Sequence, residues 1–203
     1  MFLIIIPVIV PFFMSFGLSM REIFQLQAFY GICVMSCEIP TGYLCDLWGR
    51  KKMMVLGGFI SGLGFTYLIF AKTFYQLVFF ELVIAVSFSF ISGSDVSMLY
   101  DLTQKIDRKD AKKALANMQL ATTLGEASGA IIGGLLAARS FKLMVFANAV
   151  ISWMPFVLAL TMRETTYEKF DKSSHRRNFL KVLRHVFLNN DSILRFCFLN
   201  LIV

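Results

Sequence analysis

The chain has 203 residues, of which 57% are apolar and 16% are charged, and its formal net charge is +7. Soluble domains contain roughly 45–50% apolar residues even when glycine is counted, so a chain with 22 Phe and 11 Met is not an ordinary soluble protein. The basic residues stand beside long uncharged runs, which is typical of membrane topology signals and argues against nucleic-acid binding.

Six apolar stretches follow one another along the chain, each long enough to cross a bilayer. We predict transmembrane helices over residues 2–20, 23–44, 53–71, 74–100, 114–138 and 143–162, which together form one bundle over residues 1–162. The next segment, 163–191, is predicted to be a cytoplasmic linker with an amphipathic helix. Residues 192–203 are too few to cross a core about 30 Å thick, so we interpret them as the start of a seventh helix in a longer protein.

Lys and Arg are unevenly divided between the predicted loops. The segments after spans two, four and six carry three, five and seven of them, against four in all after spans one, three and five. The positive-inside rule therefore places the N-terminus and the linker in the cytoplasm, and we expect a multi-pass protein of a bacterial inner membrane or a plasma membrane.

Four acidic residues fall inside the predicted spans, where ionisable groups are costly. Glu126 of span five lies near mid-membrane, Glu38 and Asp95 lie in the inner third of spans two and four, and Glu81 lies in the outer third of span four. We expect these carboxyl groups to face a hydrated pathway for protons or cationic solutes, with Arg195 as a candidate partner. The alternative is that each carboxyl group forms hydrogen bonds that join neighbouring helices.

Small residues recur every four positions on two of the spans. Such stripes allow helix backbones to approach closely, so we predict helix packing there. The stripes comprise Gly58 and Gly62 on span three, and Gly125, Gly129, Gly133 and Gly134 on span five.

The segment 42–52, between spans two and three, resembles the signature of the major facilitator superfamily, Gly-x-Leu-x-Asp-x-x-Gly-Arg-[Lys/Arg]. The positions that match the signature are Gly42, Leu44, Asp46, Gly49, Arg50 and Lys51. Segments 38–42 and 92–101 also resemble one branch of that superfamily. Span five partly resembles its antiporter signature, but Ala130 stands where that signature has Pro, and Ala116 where it has an earlier Gly, which weakens the case for antiport.

The resemblance implies an all-α membrane fold, namely the N-terminal six-helix bundle of two inverted three-helix repeats. It implies that helices one, two, four and five line a central cavity and that a second six-helix half, absent from this sequence, completes the binding site. It also implies that the signature residues, with Asp101 at the end of span four, form a latch in the outward-facing state. The alternative is that Arg50 and Lys51 only set topology.

From these observations we expect a secondary transporter that moves a small solute by alternating access, with proton-coupled efflux as one possibility. The alternative is a non-transporting remnant or a membrane assembly component. The chain has no HExxH motif, nucleophile–base pair or nucleotide-binding loop, so we do not expect an enzyme. Its four cysteines form no CxxC pair, and we expect no metal, other cofactor or nucleic-acid partner.

Overall fold

The computed structural model describes residues 4–103 and 108–162, with the exception of the side chains at 39, 46, 95–103, 108, 109 and 111. All regular secondary structure in these ranges is helical, as the predicted all-α fold requires. The predicted linker (163–191), the predicted start of helix seven (192–203) and Arg195 lie outside the described residues.

The first predicted span is not one continuous helix. A 3₁₀ helix, Ile6–Val8, is followed by the short helix α1, Ile9–Met14, and then by a turn in which Gly17 has a φ of 80°. Six α-helical residues cover only about 9 Å, so the prediction of a single helix over residues 2–20 is wrong for the described residues. Pro7 and Pro11 explain the interruption, because a proline has no N–H to donate and restricts the residue before it.

Helices α2 (Met20–Trp48) and α3 (Arg50–Leu68) are separated by Gly49 alone. Gly49 has a φ of 94°, in a region that favours glycine, and its N–H donates to the carbonyl of Cys45 at 3.1 Å. The segment expected to form a loop between spans two and three is therefore helix up to Trp48 and helix again from Arg50.

The remaining helices are α4 (Phe74–Thr103), α5 (Arg108–Arg139), α6 (Phe141–Ile151) and α7 (Met154–Thr161). The predicted sixth span contains both α6 and α7, which are separated at Ser152 and Trp153. Pro155 lies in the first turn of α7, where its missing N–H is tolerated, and it cannot donate to the end of α6. The sixth span is therefore broken near its centre.

Three stretches of the described residues are long and apolar enough to cross a membrane, and they coincide with predicted spans four to six: Phe74–Ser94, Lys112–Arg139 and Phe141–Thr161. Helices α2 and α3 lie where spans two and three were predicted but are less apolar. The reason is compositional, since α3 begins with three basic residues and α2 contains polar residues such as Gln27 and Glu38.

Helix α4 packs between α2 and α3, and α3 also packs against α6 and α7. The apolar core is concentrated at one end of the bundle, where α2, α4 and α6 begin and α3 ends. Its fully buried members include Phe13, Leu26, Leu68, Leu77 and Met144. Burial of such side chains contributes about 1.5–3 kcal/mol each in water, whereas in lipid the close fit between helices dominates.

Glycines on α3 bring it close to helices on two sides. A Cβ atom added at Gly57 would lie 2.7 Å from the side chain of Ile91 on α4. One added at Gly62 would lie 2.6 Å from the ring of Trp153, whose indole N–H donates to the hydroxyl of Thr66 at 3.2 Å. The small residues of span three therefore lie at contacts with both α4 and the α6–α7 segment.

Candidate functional site

The structure describes the side chains of three of the four predicted acidic residues, and it places them in two environments. Glu81 on α4 is buried, with 3% of its surface exposed, whereas Glu38 on α2 and Glu126 on α5 are exposed. Asp95 lies on α4, but its side chain is outside the description. In the described part of the chain, no three His, Cys, Asp or Glu residues are grouped so that they could hold a metal ion.

Glu81 belongs to a stripe of buried residues on α4 that faces α2. Ala85 and Ser89 follow it at intervals of four, and both are almost fully buried. The Ser89 hydroxyl donates to the Ala85 carbonyl at 2.9 Å and approaches the Val34 carbonyl of α2 at 3.4 Å. The contact with Val34 joins α2 to the face of α4 that carries Glu81.

One carboxyl oxygen of Glu81, Oε1, is buried and accepts no hydrogen bond from the described residues. A buried acceptor without a donor costs about 1–3 kcal/mol, and more when it is charged. On α2, Tyr30 and Cys33 are close enough to interact electrostatically with Glu81. Gln27, one helical turn before Tyr30, has a buried side-chain nitrogen that is also without a partner.

Gln27 and Tyr30 were not predicted to belong to a site, because the prediction was based on the acidic side chains inside the spans. Neutral amides within an apolar stretch are a usable signal, since they too need a hydrogen-bond partner in the membrane. Asn148, in the predicted sixth span, is another neutral amide that was not predicted to be important. It is fully buried, and its Oδ1 accepts from the backbone N–H groups of Ile4 and Ile5 at 3.0 and 3.3 Å.

The glycine stripe on α5 lies on the buried side of that helix. Gly129 and Gly133 are buried and Gly125 is half-buried, and a Cβ atom at Gly133 would collide with the carbonyl oxygen of Ile4. A Cβ atom at Gly134 would meet nothing within 4 Å, so no described residue requires a glycine at that position. Glu126 lies at the margin of the stripe, one turn before Ala130 and two before Gly133.

The signature residues lie where α2 ends and α3 begins, with Arg50 and Lys51 in the first turn of α3. Gly42, the first signature residue, faces α4. Its Cα atom lies 3.9 Å from the position of a Cβ atom added at Gly93, but a Cβ atom on Gly42 itself would meet nothing within 4 Å among the described residues. Nearby, the Cys45 sulfur lies 3.4 Å from the Ser94 hydroxyl.

Asp46 lies on α2, three residues before Gly49, and Asp101 lies in the last turn of α4, so the backbone carries both residues at the same end of the bundle as Arg50. Their side chains are outside the description. The predicted latch is therefore located by its helices alone, and the contacts of its carboxylates stay predictions.

Long apolar helices with a buried carboxyl group define an integral membrane protein with several membrane-spanning helices. The family model of the major facilitator superfamily matches the chain over residues 1–203. The chain belongs to the major facilitator superfamily, as its signature segment indicated.

Three relatives illustrate the similarity. Multidrug resistance protein 2 of Bacillus subtilis is 29% identical over 188 residues, which are 89% of this chain and 46% of the relative. Multidrug resistance protein 1 of the same organism is 28% identical, over 79% of this chain and 41% of the relative. The multi-drug resistance efflux pump PmrA of Streptococcus pneumoniae is 26% identical, over 65% of this chain and 34% of the relative. The chain therefore spans less than half the length of these relatives.

Proposed function

We propose that this chain is the N-terminal six-helix half of a secondary transporter that exports small solutes by alternating access. The observation that carries the proposal is the family match over all 203 residues, together with relatives named for multidrug resistance and efflux. The coverage of less than half of those relatives fits one half of a protein built from two six-helix bundles. The orientation with cytoplasmic ends, in an inner or plasma membrane, is part of the proposal and follows from the positive-inside rule.

The exposed carboxylates on otherwise apolar helices suggest how such a solute would be held. Glu38 and Glu126 are both exposed on this half of the protein. If α2 and α5 line the central cavity, these carboxylates would attract solutes with a cationic group, and the apolar side chains around them would accept the rest of an amphipathic molecule. Proton coupling fits the same site, because a proton and a cationic solute would compete for one carboxylate.

Efflux from cells that produce the full-length protein tests this proposal, with a fluorescent lipophilic cation as the probe. We expect Glu126→Gln to reduce the efflux rate at least tenfold and to abolish its dependence on pH. Glu22→Gln, at the first turn of α2 and outside the predicted span, is the matched control and should leave efflux unchanged. A Glu126→Gln protein that exports the cation with the normal pH profile would refute the proposed role of Glu126.

We further propose that the signature segment acts as a latch between conformations. Gly49 is the only non-helical residue between α2 and α3, so a change in the angle between these helices has to pass through its backbone. Arg50 follows it directly and offers a planar fork that suits a carboxylate such as Asp46 or Asp101.

Charge-matched variants distinguish a latch from a topology signal. We expect Asp46→Asn and Arg50→Lys to reduce efflux strongly while insertion and orientation stay normal, since Arg50→Lys keeps the positive charge but loses the bidentate geometry. Lys52→Gln removes a charge from the same segment and should preserve efflux. Equal losses in Arg50→Lys and Lys52→Gln, or none in either, would contradict the latch.

A further inference from the structure

The end of the bundle opposite the signature segment carries a set of exposed cations. Three connections meet there: residues 15–19 before α2, residues 69–73 before α4, and Ser140 before α6. The apolar core joins them, and the rings of Phe12 and Phe141 lie 6.1 Å apart there. Each connection has an exposed basic residue in it or within two residues of it: Arg21, Lys72, Arg139 and Lys142.

Acidic residues are scarce at the same end. Glu22 is the one carboxylate in these connections and in the first turns of α2, α4 and α6. Its Oε2 atom already accepts from the backbone N–H and the hydroxyl of Ser19, at 2.8 and 2.7 Å. No ion pair joins any of the four cations to a carboxylate within the part of the chain that the structure describes. This end therefore carries four positive charges against one negative charge.

At Lys72 the side chain, and not the backbone, is the group that remains for an anion. The backbone N–H groups of Lys72 and Thr73 both donate to Oε1 of Gln76, at 2.7 and 3.1 Å. Free N–H groups at the start of a helix are the usual alternative site for an anion, and here these two are occupied. The exposed ammonium group of Lys72 therefore supplies the attraction.

Exposed aromatic rings lie next to these cations in the sequence. Phe70 and Tyr75, on either side of Lys72, are 70% and 83% exposed, and Phe24, three residues after Arg21, is 66% exposed. In membrane proteins aromatic rings are concentrated at the level of the lipid headgroups, and the long side chains of Lys and Arg extend from apolar surface to the charged layer. This combination is typical of residues at the depth of the lipid phosphates.

We propose that this end of the bundle is a binding surface for anionic phospholipids, with the Lys and Arg side chains on the headgroups and the exposed rings on the upper part of the acyl chains. A zwitterionic headgroup carries its own ammonium group, which repels these cations, so charge selects the anionic lipid. In the orientation proposed above, these lipids belong to the outer leaflet. The proposal rests on the membrane class of the protein, and not on its solute or on the direction of transport.

Fluorescence quenching of the full-length protein in lipid nanodiscs measures which lipid lies against this surface. Tyr75→Cys, in a protein without its native cysteines, carries a bimane fluorophore. The nanodiscs contain equal amounts of phosphatidylglycerol and phosphatidylcholine, and in each sample one of the two carries a nitroxide on the same acyl-chain carbon. One basic residue near an anionic surface favours it about fivefold before counter-ions act. Because counter-ions reduce that preference, we expect phosphatidylglycerol to quench about two to five times more strongly than phosphatidylcholine.

Two variants of Lys72 separate the effect of charge from that of shape. Lys72→Gln should bring the ratio of quenching by the two lipids close to one, whereas Lys72→Arg keeps the charge and should keep the ratio. A fluorophore at Val150, which is exposed on α6 about two helical turns beyond Lys142, is the control and should show a ratio close to one. Equal quenching by both lipids at Tyr75→Cys, an unchanged ratio in Lys72→Gln, a lost ratio in Lys72→Arg, or the same excess at Val150 would overturn the proposal.

Salt distinguishes a charged lipid from other sources of quenching. The excess quenching by phosphatidylglycerol should disappear as NaCl is raised to about 1 M, where charges act over only about 3 Å, and its persistence would contradict the proposal. Inorganic phosphate at the same ionic strength should reduce the excess no more than NaCl does. A larger effect of phosphate would show that the surface binds the free anion and not a lipid headgroup. None of these measurements involves a solute, so this proposal and the proposed transport function can fail independently.

Discussion

Gly58 on α3 should tolerate no side chain, because α7 passes directly over it. A Cβ atom at Gly58 would lie 2.6 Å from the backbone nitrogen of Phe156, 2.8 Å from its Cα atom and 3.0 Å from the carbonyl carbon of Pro155. These are backbone atoms, so rotation of a side chain cannot relieve the overlap. The α7 helix would have to move away, and its contacts with α3 would loosen along their length.

The expected magnitude follows from two opposing effects. Overpacking of a close contact costs about 1–3 kcal/mol. Replacement of a helical glycine by alanine gains about 0.5–1 kcal/mol through the conformational entropy of the unfolded chain. We therefore expect Gly58→Ala to destabilise the bundle by about 1 kcal/mol, within a range that extends to about 2.5 kcal/mol. Gly134→Ala is the matched control: its Cβ atom would meet nothing within 4 Å, so only the favourable effect remains.

Unfolding in mixed micelles, followed by circular dichroism as the fraction of SDS is raised, measures this difference. Gly58→Ala should unfold at a lower fraction of SDS than the wild-type protein, and Gly134→Ala at an equal or higher fraction. If the two variants unfold together, the close approach of α3 and α7 does not contribute to stability, and the reasoning from the Cβ contacts is wrong.

Three further predictions concern polar groups. Asn148→Leu leaves the buried N–H of Ile4 without its acceptor, at a cost of about 1–3 kcal/mol. Hydrogen exchange at the Ile4 amide should therefore accelerate. Asn148→Asp keeps an acceptor oxygen and should leave that amide protected from exchange. Trp153→Phe removes an indole N–H that donates to a hydroxyl on α3, and the SDS midpoint should fall by the equivalent of about 0.5–1.5 kcal/mol; an unchanged midpoint would contradict this. Hydrogen bonds from the hydroxyl and N–H of Ser19 lower the pKa of Glu22. The cap should therefore stabilise the start of α2 against unfolding at neutral pH, and this stabilisation should be lost as the pH falls through the lowered pKa of Glu22. Ser19→Ala should show no such pH dependence.

The boundaries of the helices were predictable where composition alone sets them. Spans four to six were located within a few residues, because long uncharged stretches end at charged or polar residues. The first span was wrong because its apolar composition concealed two prolines that interrupt helical hydrogen bonding. The loop predicted between spans two and three was also too long, because a single glycine with positive φ, Gly49, joins the two helices.

The burial of the acidic residues could not be predicted from the sequence. Glu38, Glu81 and Glu126 occupy similar apolar surroundings along the chain, and all three were expected to face a hydrated pathway or to join neighbouring helices. The structure distinguishes them: Glu81 is buried because α2 covers that face of α4, whereas Glu38 and Glu126 are exposed. The environments of the glycines on α5 could not be predicted from the sequence either. Gly133 faces the backbone of Ile4, while its neighbour Gly134 faces open space.

The class of protein, the family signature and the expected orientation could be predicted without coordinates, because hydropathy, motif and loop charge are properties of contiguous residues. The arrangement of the helices was needed to learn which carboxyl group is buried and which glycines have no room for a side chain. Both depend on which helix lies opposite, and residues such as Val34 and Ser89 are in contact although they are 55 positions apart in the chain.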